Sequence, residues 1–83
     1  MVKPRNIKSM LKKLSELEIG QVAIINHVED DEIFVKLMEM GFIPGEHVSI
    51  KQVAPLGDPI SITVAGYQVS LRINEANKII VEI

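Results

Sequence analysis

The ten residues Leu37-Met38-Glu39-Met40-Gly41-Phe42-Ile43-Pro44-Gly45-Glu46 constrain this chain more than any other stretch. They have the pattern of a helix end, a glycine stop, a Pro-Gly turn and the start of a strand. Gly41 suits the left-handed position after a helix C-terminus, where a Cβ is costly. Pro44 cannot continue a helix, and Pro44-Gly45 favours a turn. The residues before this stretch must bring one helix onto a sheet, and those after it have the pattern of strands.

Asp30 or Asp31 is the expected N-cap of that helix, with Glu32 in the first turn, where the helix dipole favours an acid. Ile33, Phe34, Leu37, Met38 and Met40 share one broad helical face; Glu32, Lys36 and Glu39 share the other, with Glu32–Lys36 as an i, i+4 pair. Met38 and Met40 on an apolar face serve a core better than a soft-metal site, because methionine fills irregular gaps. Upstream, Ser15 is a candidate cap for a helical turn, and Gly20 breaks into the first strand. Val22, Ile24 and Val28 alternate there with Ala23, Ile25 and His27. The first set is expected toward the core, with His27 outward near the strand end.

Downstream, a second strand runs from about His47, with Val48 and Ile50 on one face and a bulge or strand end near Gln52. The run Ala54-Pro55-Leu56-Gly57-Asp58-Pro59 holds two prolines and a glycine, so it is an exposed loop with an apolar tip at Leu56. Ile60, Ile62 and Val64 alternate on one strand, and Val69, Leu71 and Ile73 on its return. A two-residue loop at Gly66-Tyr67 would pair 64 with 69, 62 with 71 and 60 with 73. Asn74–Asn77 is a helical turn, and Ile79, Val81 and Ile83 form the last strand. The fold class expected is mainly β with one helix. About five short strands, with the helix inserted after the first, suggest a small β-barrel, since closure removes exposed edges.

Residues 1–13 hold five of the nine basic residues and none of the eleven acids. Ile7, Met10, Leu11 and Leu14 are spaced as one face of a helix, and Pro4 fits a helix start. The expected organisation is a basic amphipathic extension over residues 1–13 and one folded domain over 14–83. Such a helix can meet an anionic membrane surface or an acidic partner, or simply pack on the domain or a second subunit. The rest of the chain is acidic, which argues against a nucleic-acid partner.

The chain has no cysteine, which excludes disulfides, thiolate metal sites and a cysteine nucleophile. No apolar run approaches the ~20 residues of a membrane span, and the basic start lacks a signal-peptide core. A cytoplasmic location is the default expectation.

Leu37-Met-Glu-Met-Gly41, Pro44-Gly45, Ala54-Pro-Leu-Gly-Asp-Pro59, Gly66 and Leu71-Arg72 together resemble the FeoA family, ferrous iron transport protein A, from about Leu14 to Ile83. The resemblance implies an SH3-like barrel with an inserted helix. It implies a small cytoplasmic accessory protein of bacterial ferrous iron uptake. The implied partner is the FeoB-type membrane transporter, through its cytoplasmic GTP-binding domain, so that the membrane is met only indirectly. The same domain type resembles the C-terminal module of metal-dependent repressors, which gives an alternative regulatory role. A small transition-metal-binding protein is a further alternative, and homo-oligomerisation is compatible with each.

No catalytic constellation is visible, and the expectation is a non-catalytic interaction module without a cofactor. His27 and His47 are the two imidazoles and weak metal candidates; on different strands, they fit plain surface histidines better than ligands. Glu29-Asp30-Asp31-Glu32 fits an acidic helix start. Arg72 can pair with Asp58 or Glu75, or present a guanidinium fork to a partner. The candidate partner surface is therefore Pro55, Leu56, Gly57, Asp58, Pro59 and Arg72.

Overall fold

The computed structural model describes residues 10–83. Its strands are β1 (Leu11–Lys13), β2 (Val22–Val28), β3 (His47–Val53), β4 (Ile60–Val64), β5 (Tyr67–Leu71) and β6 (Ile79–Glu82). A single 3-10 turn occupies Leu14–Glu16, α1 spans Asp31–Glu39 and the short α2 spans Ile73–Ala76. All six strands join one antiparallel sheet in the order β1-β6-β2-β3-β4-β5.

The expected closed barrel does not form: β1 and β5 are the two ends of the sheet and do not pair with each other. A strand has two edges. β6 uses one on β2 and the other on β1, so neither is left to close against β5. The sheet instead wraps a one-sided core in which Phe42, Leu14, Ile25, Leu37, Ile60, Ile62, Leu71 and Ile79 are fully buried. None of the described polar or charged residues is buried, so the core carries no desolvated charge.

Three local expectations are corrected. Leu11–Lys13 is a strand, not the end of a helix, with Leu11 opposite Glu82 and Lys13 opposite Ile80. The sheet thus begins before residue 14, while residues 1–9 of the expected extension lie outside the described residues. In β2 the buried pair is Ala23 and Ile25, while Val22 is exposed and Ile24 half-buried. A register shift between Ile25 and His27 then turns Val28 back against the core and leaves His27 outward as expected. In the hairpin, Ile60 faces Leu71, Ile62 faces Val69 and Val64 faces Tyr67. The loop is Ala65-Gly66, both at positive φ. The pairing is two residues from the one expected, which keeps every side chain on its predicted face.

The helix segment follows its sequence cues closely. Asp30 is the N-cap, its carboxylate accepting from the Glu32 N–H at 2.8 Å. After α1 the chain turns at Gly41, whose φ of +105° is open to glycine, and drives Phe42 into the core. Of the expected apolar face, Leu37 is buried and Ile33 and Met40 pack against the core, but Phe34 is 38% exposed.

Candidate docking surface

The loop between β3 and β4 is tied at its base and open at its tip. The Ala54 N–H donates to the Pro59 carbonyl at 3.1 Å, and the Gly57 N–H to the Ala54 carbonyl at 2.7 Å. Gly57, at φ +92°, allows the chain to reverse there. These bonds and the two prolines hold the loop stiff while Leu56 projects from it, 96% exposed.

Asp58 fixes the loop to the next structural unit. Its Oδ1 accepts from the Ile73 N–H at 3.0 Å, satisfying one of the free donors at the start of α2. Arg72, the residue before α2, therefore lies beside the loop. It is the N-cap of α2 and not an alternating strand residue. Its backbone N–H donates to Glu75 Oε1 at 3.1 Å. Glu75 Oε2 in turn accepts from Lys36 Nζ at 2.7 Å. This lysine hydrogen bond, and after it the Arg72 N–H, hold the Glu75 carboxyl below its ordinary range. Neither Asp58 nor Glu75 forms a salt bridge with the Arg72 guanidinium. Of the expected Arg72 pairings, the structure makes the one to Glu75 through the backbone alone.

Asp58, Pro59, Ser70, Arg72, Lys36 and Glu75 line one shallow groove of about 390 Å³. The fold thus brings Asp58 and Pro59, at the base of the loop, beside Arg72, whereas Pro55, Leu56 and Gly57 do not line this groove. A second groove, of about 570 Å³, is lined by Met38, Met40 and Ile43 against Tyr67 and Val69. Sequence reasoning missed it. Its only sequence signal is surplus apolar residues on α1, more than a single helix face can bury.

The histidines sit apart from this surface. His27 Nδ1 is 2.7 Å from Asn26 Oδ1, and its Nε2 is 3.5 Å from Glu29 Oε2. His47 is exposed on β3, opposite Ile24. Among the described residues, no group of three or more histidines and acids is arranged to hold a metal ion. Asp30 of the acidic run is engaged as the N-cap of α1 and lies 3.6 Å from Lys78 Nζ. No helix among the described residues is long and apolar enough to cross a membrane.

Residues 12–83 match the family model described as FeoA domain. Over 72 residues the chain is 44% identical to a Fe(2+) transport protein A/Fe(2+) transporter FeoB fusion protein of Porphyromonas gingivalis, a match that covers 86% of this chain. The chain spans 8% of the length of that relative. Among solved structures, the iron(II) transport protein A of Clostridium thermocellum superposes with a TM-score of 0.81 at 46% identity, over 87% of this chain and 45% of that one. The FeoA of Stenotrophomonas maltophilia, solved with zinc and described as a procaryotic SH3 domain protein, superposes with a TM-score of 0.73 at 36% identity. That superposition covers 82% of this chain and 86% of the other.

Proposed function

The chain belongs to the FeoA family, and we propose that it works as a non-catalytic accessory module of bacterial ferrous iron uptake. It docks, in the cytoplasm, on the GTP-binding domain of a FeoB-type transporter. The fusion relative supports this reading, because joining two units in one polypeptide raises their effective concentration and suits partners that act together. The docking surface is the loop Pro55–Pro59 with Arg72.

One observation carries the placement: Leu56 is 96% exposed on a loop whose base is hydrogen-bonded on both sides. A fully exposed leucine contributes nothing to folding. On a stiff loop it loses little conformational entropy when covered by a partner. Arg72 adds a guanidinium suited to bidentate contact with a partner carboxylate.

The test is a pull-down with the cytoplasmic domain of the cognate transporter, with and without guanine nucleotide. Leu56→Ser is expected to leave the melting temperature within about two degrees, since an exposed site is usually near neutral, while weakening capture several-fold. Arg72→Glu is expected to weaken it further. A Leu56→Ser protein that melts early yet still binds would make the loop a lid on the core and move the docking face elsewhere.

A further inference from the structure

The two open edges of the sheet are built differently. β1 is three residues long and carries Lys12 and Lys13, a short charged edge of the kind that discourages strand pairing. β5 is Tyr67-Gln68-Val69-Ser70-Leu71 and holds no charge and no proline. Its pairing with β4 runs through five residues with no register shift. Among the described residues, this strand itself carries no charge, proline or bulge to blunt the edge.

The hairpin register shows which backbone groups this edge offers. The two-residue loop makes Val64 and Tyr67 a hydrogen-bonded pair. In the alternating antiparallel ladder, Ile62–Val69 and Ile60–Leu71 are then hydrogen-bonded as well. Gln68 and Ser70 therefore point their N–H and C=O groups away from β4. Neither residue makes a further backbone bond to a turn or loop among the described residues.

Helix α1 flanks the same edge. Lys36 shares a groove with Ser70 and Arg72, whereas Met38 and Met40 share one with Tyr67, Gln68 and Val69. The two grooves thus put apolar side chains of α1 at the Tyr67 end of β5 and leave two cations, Lys36 and Arg72, at the other end. Lys36 is already paired with Glu75, and Asp58 is engaged with the Ile73 N–H. Arg72 is the cation at that end with no carboxylate salt bridge among the described residues.

We propose that β5 accepts an extended segment of the docking partner as a seventh strand. That segment is apolar at alternate positions, which fill the groove beside Met38, Met40 and Tyr67, and carries a carboxylate where it passes Arg72. Main-chain bonds to Gln68 and Ser70 supply affinity, and the groove and Arg72 supply selection. The inference rests on the docking role proposed above and specifies how that partner is held.

The experiment is amide hydrogen exchange on the full chain, alone and saturated with the transporter's cytoplasmic domain, with overlapping synthetic peptides from that domain as a second stage. Exchange at Gln68 and Ser70 is expected to slow at least tenfold on binding. The peptide that reproduces the effect is expected to contain an Asp or Glu and to lose affinity about tenfold against Arg72→Glu. Ser70→Pro, which removes one outward N–H, is expected to abolish binding; the exchange measurement on the unmutated chain decides the matter even if that variant fails to fold. If the domain binds while Gln68 and Ser70 stay unprotected, strand addition is wrong and the docking role stands. If the domain does not bind at all, both fall. If the two amides are protected without any partner, in step with a dimer mass in light scattering, the occupant is a second copy of this chain and the acidic segment is wrong.

Discussion

Asp58 Oδ1 accepts the Ile73 N–H at 3.0 Å, joining residues fifteen apart in sequence and locking the β3–β4 loop to the start of α2. The bond does two things at once: it completes a helix N-terminus and it fixes the base of an exposed loop. Asp58→Ala is expected to cost about 0.5–2 kcal/mol, the range for losing a side-chain acceptor at a helix start. It is also expected to weaken transporter capture more than this loss of stability explains. Urea melts and the pull-down, run on the same protein, check both. Wild-type capture by a destabilised Asp58→Ala protein would show that the loop's rigidity is irrelevant to docking.

The core between β4 and β5 gives a second expectation. Leu71 is 1% exposed and lies opposite Ile60. Leu71→Ala is expected to cost about 2–5 kcal/mol, a large share of the ~5–15 kcal/mol typical of a whole domain. Ser70→Ala, next to it on the exposed face, is expected to stay within about 0.5 kcal/mol. Equal melting curves for the two variants would contradict the observed register.

Glu75 makes stability depend on pH. Its carboxyl is held below the ordinary value of 4.5, first by Lys36 and then by the Arg72 N–H. A lowered native pKa contributes stability that is complete above the unfolded value and disappears as pH falls through the native one. Glu75→Gln is therefore expected to be less stable near neutrality by up to about 1 kcal/mol, a small figure because Lys36 is largely exposed to solvent. The two proteins are expected to converge as pH drops below the ordinary carboxylate range. Urea midpoints across that range test this, and a constant gap would assign the effect to packing.

Removal of residues 1–13 separates two readings of the N-terminal segment. It strips β1 from β6 and bares the edge that carries Ile80 and Val81. The melting temperature is expected to drop by about 4 °C or more, the shift that roughly 1 kcal/mol produces in a small domain. An unchanged melting temperature, with loss of sedimentation on anionic vesicles, would instead make the segment a membrane anchor.

For metals, titration calorimetry with ferrous and zinc ions is expected to show no submicromolar site that depends on His27 or His47. A stoichiometric site lost in His27→Ala or His47→Ala would revive the metal-binding alternative.

Where one physical cue dominated, the sequence was sufficient. Asp30 before an amphipathic run, Gly41 after it, and the proline-rich stretch 54–59 each lead to the element found. Where two cues competed, it was not. β2 has apolar residues on both faces at Val22-Ala23-Ile24-Ile25, so alternation cannot choose the inner one, and the bulge before His27 conceals the switch. Ala65-Gly66 is a weak turn signal, since alanine rarely adopts the φ of +50° found here; the stronger-looking Gly66-Tyr67 displaced the register by two. Leu11–Lys13 carries a helical spacing, yet its conformation is set by the free edge of β6, a partner some seventy residues away. The loop and Arg72 were legible separately; the Asp58–Ile73 bond that joins them depends on the fold.

The pairing of β1 with β6 has a mechanical side. The Ile83 N–H donates to the Met10 carbonyl at 3.1 Å, so the first described residue and the last sit side by side. Force applied between those two points acts across the strands and not along them. It opens β1 from β6 one hydrogen bond at a time, as a zipper, and never loads the whole ladder in shear. Under tension the three-residue β1 is therefore the first element to peel, while β2, β3, β4 and β5, with the loop and groove they carry, stay intact.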